Sequence, residues 1–123
     1  MAVDSNLIAL PGAIAGADLS ADQYRFVSLV TTGGTPPYTV VRAAAAGALG
    51  VLYNNPDAGQ SAHVIVGGIA KVIAGGNIAI GAKVDANAAG AAVTTATALH
   101  TALTGGVAGD VIEVMLVAPA ILA

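Results

Sequence analysis

Turn-forming residues interrupt this chain so often that long helices have little room. They cluster at Gly33-Gly34-Thr35-Pro36-Pro37, Asn54-Asn55-Pro56-Asp57-Ala58-Gly59, Gly67-Gly68, Gly75-Gly76-Asn77, residues 87–90 and Gly105-Gly106. Turns separated by about 8–12 residues are the mark of short antiparallel strands in a sandwich or barrel. The intervening segments agree, since residues 24–30 (YRFVSLV), 38–42, 49–53, 62–66, 69–74, 78–84 and 111–117 are rich in β-branched and aromatic residues. The expected fold is all-β or mainly so, a small single-domain β-barrel or β-sandwich with room for one short helix. With 123 residues the chain suits one core. Residues 1–20 carry no consistent period and contain Pro11, Gly12 and Gly16, so they are expected to form an extended arm preceding a β-rich domain at 21–123.

Two segments are ambiguous. The alanine run at residues 43–48 suits either a helical turn or a bridge between strands. Residues 89–103 (AGAAVTTATALHTAL) place apolar residues near helical spacing, yet their threonines favour a strand. The last apolar segment is clearer. Strand alternation sets Ile112, Val114 and Leu116 on one face and Val111, Glu113, Met115 and Val117 on the other. Both faces are largely apolar, which requires either a central position in the core or cover from a neighbouring subunit.

Composition matters here because 56% of residues are hydrophobic and 9% charged, against about a quarter charged in ordinary soluble domains. So few charges cover a monomer's surface poorly, and the surplus implies either a membrane or burial against other subunits. The longest apolar stretch, residues 61–82, has Lys71 near its middle and two glycine pairs within it, so no membrane span is expected. Asp4 stands where a secretory signal is basic. Protein–protein burial, with the chain as a homo-oligomer, is the remaining expectation.

The net charge is −3, and Arg25, Arg42, Lys71 and Lys83 are scattered singly, so no nucleic-acid surface is expected. The absence of cysteine removes disulfides, thiolate metal sites and cysteine nucleophiles. His63 and His100 stand far apart without companion ligands at metal spacing, and Ser61, His63 and Asp57 or Asp110 supply triad residue types without a triad pattern. Asp18, Asp22, Asp57, Asp85, Asp110 and Glu113 are dispersed and read as solvated turn acids. The glycine pairs do not lead into a phosphate-loop lysine. No catalytic residue, metal or cofactor is therefore expected.

Four stretches, in order, carry a resemblance. These are ADLSADQYRFV at 17–27, the GVLYNNPDAGQ turn at 50–60, the core running on to Val84, and GDVIEVMLV at 109–117. Together they resemble the small capsid decoration, or cement, proteins of tailed bacteriophages. Residues 87–93 (NAAGAAV) depart from the more polar turn typical of that family. The resemblance implies a trimeric β-barrel-like subunit on the outer surface of the virion, bound to the major capsid protein and bracing it. The candidate interface residues are Pro11 in the arm, Tyr24, Arg25 and Phe26 at the family-like start, and Met115 and Val117 on the last strand. Core packing is the competing role for Tyr24 and Phe26, which are expected on one strand face with Arg25 opposite. A glycan- or host-binding module of the virion surface is the alternative function, and a hydrolase using Ser61, His63 and Asp57 is the third.

Overall fold

The computed structural model describes residues 8–10, 12–30, 38–45, 47–96, 98 and 100–116. Within them the chain is all-β, with ten strands and no helix. The strands are β1 (Ile8–Leu10), β2 (Ala13–Ala15), β3 (Phe26–Leu29), β4 (Tyr38–Arg42) and β5 (Gly50–Leu52). They continue as β6 (Val64–Ile73), β7 (Lys83–Ala86), β8 (Ala92–Thr94), β9 (His100–Ala102) and β10 (Val111–Leu116). The lateral order is β2-β4-β3-β5-β6-β10-β9-β7-β8, with β1 also on β6. This path does not close on itself, so the single domain is not a barrel.

Strand β6 organises the whole. Its first half pairs with β5 through Val51↔Ile65 and Leu52↔Val64, and with β1 through Ala9↔Ile65 and Leu10↔Val64. Its second half pairs with β10 in unbroken register from Leu116↔Gly68 to Val111↔Ile73. The changeover falls at Gly67-Gly68, where the sequence suggested a turn. Gly68 takes φ of 91°, a conformation open to glycine and strained for other residues, so the strand bends there without ending. Two expected strands are thereby one.

Side chains divide on this frame. In the central strands, successive residues enter different cores. Phe26, Val51 and Ile65 join one cluster with Val72, Val84, Ile112 and Val114. Val27, Leu52 and Val64 join a second with Ala13, Ala15, Leu19 and Val40. Strands buried on both faces must be apolar throughout, which is why FV, GVL and VIV occur without polar alternation. Within residues 8–20, the described β1 and β2 are tied into the sheet on β6 and β4, and Leu19 is buried in the second core.

Local departures have local causes. Residues 78–84 contribute a strand only from Lys83, because Ile78 bridges to Gly106 and a turn with Gly81 at φ 85° follows. Within 89–103, Ala92–Thr94 and His100–Ala102 form β8 and β9 on either side of β7, so the β preference of the threonines prevails in these described stretches. The turn into β8 is made by Asn87, whose Oδ1 accepts from the backbone N–H groups of Ala89 at 2.8 Å and Ala91 at 3.0 Å. Residues 43–48, where described, form neither helix nor strand, and bury Ala43 and Ala48 in the larger core.

Gly50 marks the tightest approach in the sheet. A Cβ there would overlap the carbonyl oxygen of Ile65 and stand 3.1 Å from Val64 Cγ1, and the backbone of the central strand cannot yield. Gly50→Ala is therefore expected to destabilise the fold by about 3 kcal/mol or more, measured by urea denaturation.

Candidate interaction face

The alternation of β10 builds an exposed apolar surface on one face of the sheet. Ile112, Val114 and Leu116 are buried, while Val111 and Met115 keep 53% and 39% of their surface open. Register then fixes their neighbours: Val111 lies opposite Ile73, Glu113 opposite Lys71, and Met115 opposite both Ile69 and Thr101. Leu103, just past β9, is exposed and donates its N–H to the Glu113 carbonyl at 2.8 Å. On β7, Lys83 pairs in register with Thr101, and its Nζ donates to Thr101 Oγ1 at 3.2 Å. The result is a face of half-open aliphatic side chains with Lys71 and Glu113 side by side in it. Among the described residues neither charge forms an ion pair, since the described pairs all converge on Asp22.

The edge of this sheet beyond β6 is closed by tyrosines rather than by a strand. The N–H of Lys71 donates to Tyr53 Oη at 2.7 Å, and the N–H of Ile73 to the Tyr24 carbonyl at 2.8 Å. Holding that carbonyl in place requires Tyr24 at φ 66°, the one non-glycine residue with positive φ among those described. Such a conformation costs on the order of 1–3 kcal/mol and must be held by its surroundings. Here the Tyr24 N–H donates to Leu52 O at 2.7 Å, and its ring meets Tyr53 edge-on at 5.4 Å. The Gln23 amide adds a bond to the Tyr53 carbonyl at 2.9 Å. Unpaired strand edges invite foreign strands, and this plug occupies the donors that such a strand would need.

The remaining residues singled out in the sequence serve mainly the fold. Phe26 is fully buried and stacks on His100 at 5.8 Å, so its role is core packing. The positive φ of Tyr24 lies outside β3, so Tyr24 and Phe26 do not share a strand face as expected. Arg25 is half-buried and donates to the Ala89 carbonyl at 3.0 Å, tying its loop to the β7–β8 turn. With Arg42 it flanks Asp22, at 4.0 and 3.6 Å. Pro11 and Val117 lie outside the described residues. Met115 alone of the expected interface residues is both described and well exposed.

The dispersed acids were expected to be solvated, yet Asp22 and Asp85 are almost buried. Asp85 accepts from the N–H of Gly47 at 3.1 Å and of Ala86 at 2.7 Å, compensation that a buried carboxylate needs. His100 is buried too, whereas His63 is exposed, with its backbone N–H donating to Asn54 Oδ1 at 2.9 Å. Among the described residues no hydrogen bond joins the side chains of Ser61, His63 and Asp57, and no cluster of His, Asp and Glu could hold a metal. Among them too, no helix is long and apolar enough to cross a membrane. Apart from Met115, the aliphatic members of the face and Tyr53 were missed as site residues; for Val111 the alternation in 111–117 was the signal available.

No family model and no curated protein matches this sequence. Among solved structures, the chain is similar to the N base of the head fiber gp8.5 of bacteriophage phi29, with a TM-score of 0.66 and 20% identity. The likeness covers 90% of this chain and 94% of that one, so the two share a fold over most of their length.

Two measurements test this arrangement. Tyr53→Phe removes the acceptor of the Lys71 N–H, and because water reaches that edge the expected cost is about 0.5–1 kcal/mol, with faster amide exchange at Lys71. His100 supplies a pH dependence. Burial lowers its pKa from the ordinary 6.5, against a weaker upward pull from Asp85. The unfolded chain therefore takes up this proton at higher pH than the folded one. The stabilisation is present above 6.5 and is lost as pH falls from there through the lowered folded value. Thermal melts are expected to drop across that window, and His100→Gln to flatten the drop.

Proposed function

We propose that this chain is a structural protein of a phage head, which binds the outside of the capsid shell as an oligomer and stabilises it. The observation that carries this reading is the fold likeness, over nine-tenths of the chain, to the base of a phage head fiber. The half-open aliphatic face on β6, β9 and β10 adds to it, because a domain with 9% charged residues and such a face is suited to protein contact. The acidic balance of −3 suits the outside of a shell better than the side facing packaged DNA.

The mechanism requires binding and no chemistry. A protein that binds one state of a shell and not another stabilises it by about 2.7 kcal/mol per site at a hundred times its dissociation constant. An oligomer that engages several capsid subunits at once multiplies a modest contact by roughly 10²–10⁴, provided its geometry matches the shell. The bound state is thereby favoured without any covalent link, and the major capsid protein is the partner.

Purified protein mixed with head shells that lack it is expected to co-sediment with them and to raise the temperature at which they break open. Absence of binding at protein concentrations of about 50 µM, far above those at which a multivalent contact saturates, would sink the proposal.

A further inference from the structure

We infer that the outer face of β6, β9 and β10 is covered by further copies of this chain around a closed symmetry axis, with Lys71 of each copy set against Glu113 of the next. This rests on the oligomeric reading above and names the surface that the oligomer uses. The shell then contacts a different part of the domain.

Charge complementarity selects the occupant. Lys71 and Glu113 lie directly opposite each other on adjacent strands, yet no ion pair to either forms among the described residues. An unrelated partner would need an anion and a cation placed at a matching separation by its own design. A copy of this chain supplies both automatically. In a closed ring whose subunits turn this face toward the axis with their strands running along it, one flank of each sheet meets the opposite flank of the next. Lys71 on β6 and Glu113 on β10 then pair in a cycle, and the contact is satisfied for every copy.

The surroundings of the charges fit the same arrangement. Val111 and Ile73 lie in register beyond the pair on one side, Met115 and Ile69 on the other, and Leu103 joins them from the end of β9. Facing these residues to an axis removes aliphatic surface from water and partly desolvates the ion pairs, which strengthens them relative to exposed ones. The alternative mode of self-association, strand addition beside β6, is obstructed because Tyr53 and Tyr24 already hold the N–H groups of Lys71 and Ile73.

Size sets the expected strength. Three strands about 4.8 Å apart and six residues about 3.4 Å long give a patch of roughly 15 by 20 Å. That is smaller than the ~800 Å² per partner of a standard stable interface, so assembly is expected to be reversible in the micromolar range.

Sedimentation velocity of the full chain from about 1 to 100 µM reads this directly. The expected result is a mass above the monomer's that falls on dilution. Lys71→Glu puts two acids on each face and is expected to weaken assembly at least tenfold, while the double exchange Lys71→Glu with Glu113→Lys restores it. Met115→Glu is expected to give a monomer. Circular dichroism establishes that each variant is folded, and if Met115→Glu is not, the exposed Lys71 pair of variants decides alone.

A wild-type chain that is monomeric throughout, or folded variants that keep the wild-type mass, overturns the inference. Shell binding is scored separately. Oligomers that respond to these variants but never bind shells would sink the capsid reading and leave this face assigned. A monomer that binds shells would do the reverse.

Discussion

Continuity of β6 through Gly67-Gly68 is the constraint on which the rest of the structure depends. Had the chain turned there, Val64 to Val66 and Ile69 to Ile73 would be separate strands, free to pair in different registers. As one strand of ten residues, β6 fixes β1 and β5 along its first half and β10 along its second. That geometry places Ile65 beside Val51 and Ala70 beside Val114, all four in the larger core. Glycine serves twice at this point: Gly68 supplies the positive φ of the bend, and the missing side chain of Gly67 leaves space for Ile8, whose Cδ1 would lie 3.0 Å from an added Cβ. A two-residue change in the sequence could decouple the two halves of the sheet.

This explains which parts of the fold were legible in the sequence. The strand at Tyr38–Arg42 and the alternating burial of Val111–Leu116 were readable because β-branched residues and a period of two leave local signatures. Glycine pairs leave no such signature, since the same dipeptide serves a turn, a bulge or a bend, and only long-range pairing decides among them. Tyr24 is harder still. Nothing in YRFV signals that its first residue adopts φ of 66°, because the cause is the need for a carbonyl at the Ile73 N–H, far along the chain. The buried acids are of the same kind: Asp85 is covered because Gly47 approaches it from a loop 38 residues away.

The candidate site follows the same division. Met115 was legible because it belongs to an alternating strand, and its exposure agrees with that pattern. Phe26 and Arg25 were singled out for residue type, since aromatics and arginine are frequent at interfaces, and type alone does not say which way a side chain turns. In the fold Phe26 is a fully buried core residue and Arg25 is spent on Ala89 and Asp22. Residue type predicted contact potential, whereas strand phase predicted direction, and direction was the more informative of the two.

The apolar surplus itself looks different once the fold is known. A composition of 56% hydrophobic residues suggested that much of the outside must be hidden by partners. Yet β5, Phe26 and Val27 of β3 and Val64 and Ile65 of β6 are buried on both faces, so a large share of that composition is absorbed inside one chain by two cores rather than one. What distinguishes the outer face of β10 is placement rather than quantity. Isolated exposed aliphatics such as Ile80 are ordinary on any protein surface. Val111 and Met115 are different because cross-strand register surrounds them with Ile73, Ile69 and the juxtaposed Lys71 and Glu113, which form no ion pair among the described residues, making a patterned surface from residues that composition alone counts as surplus.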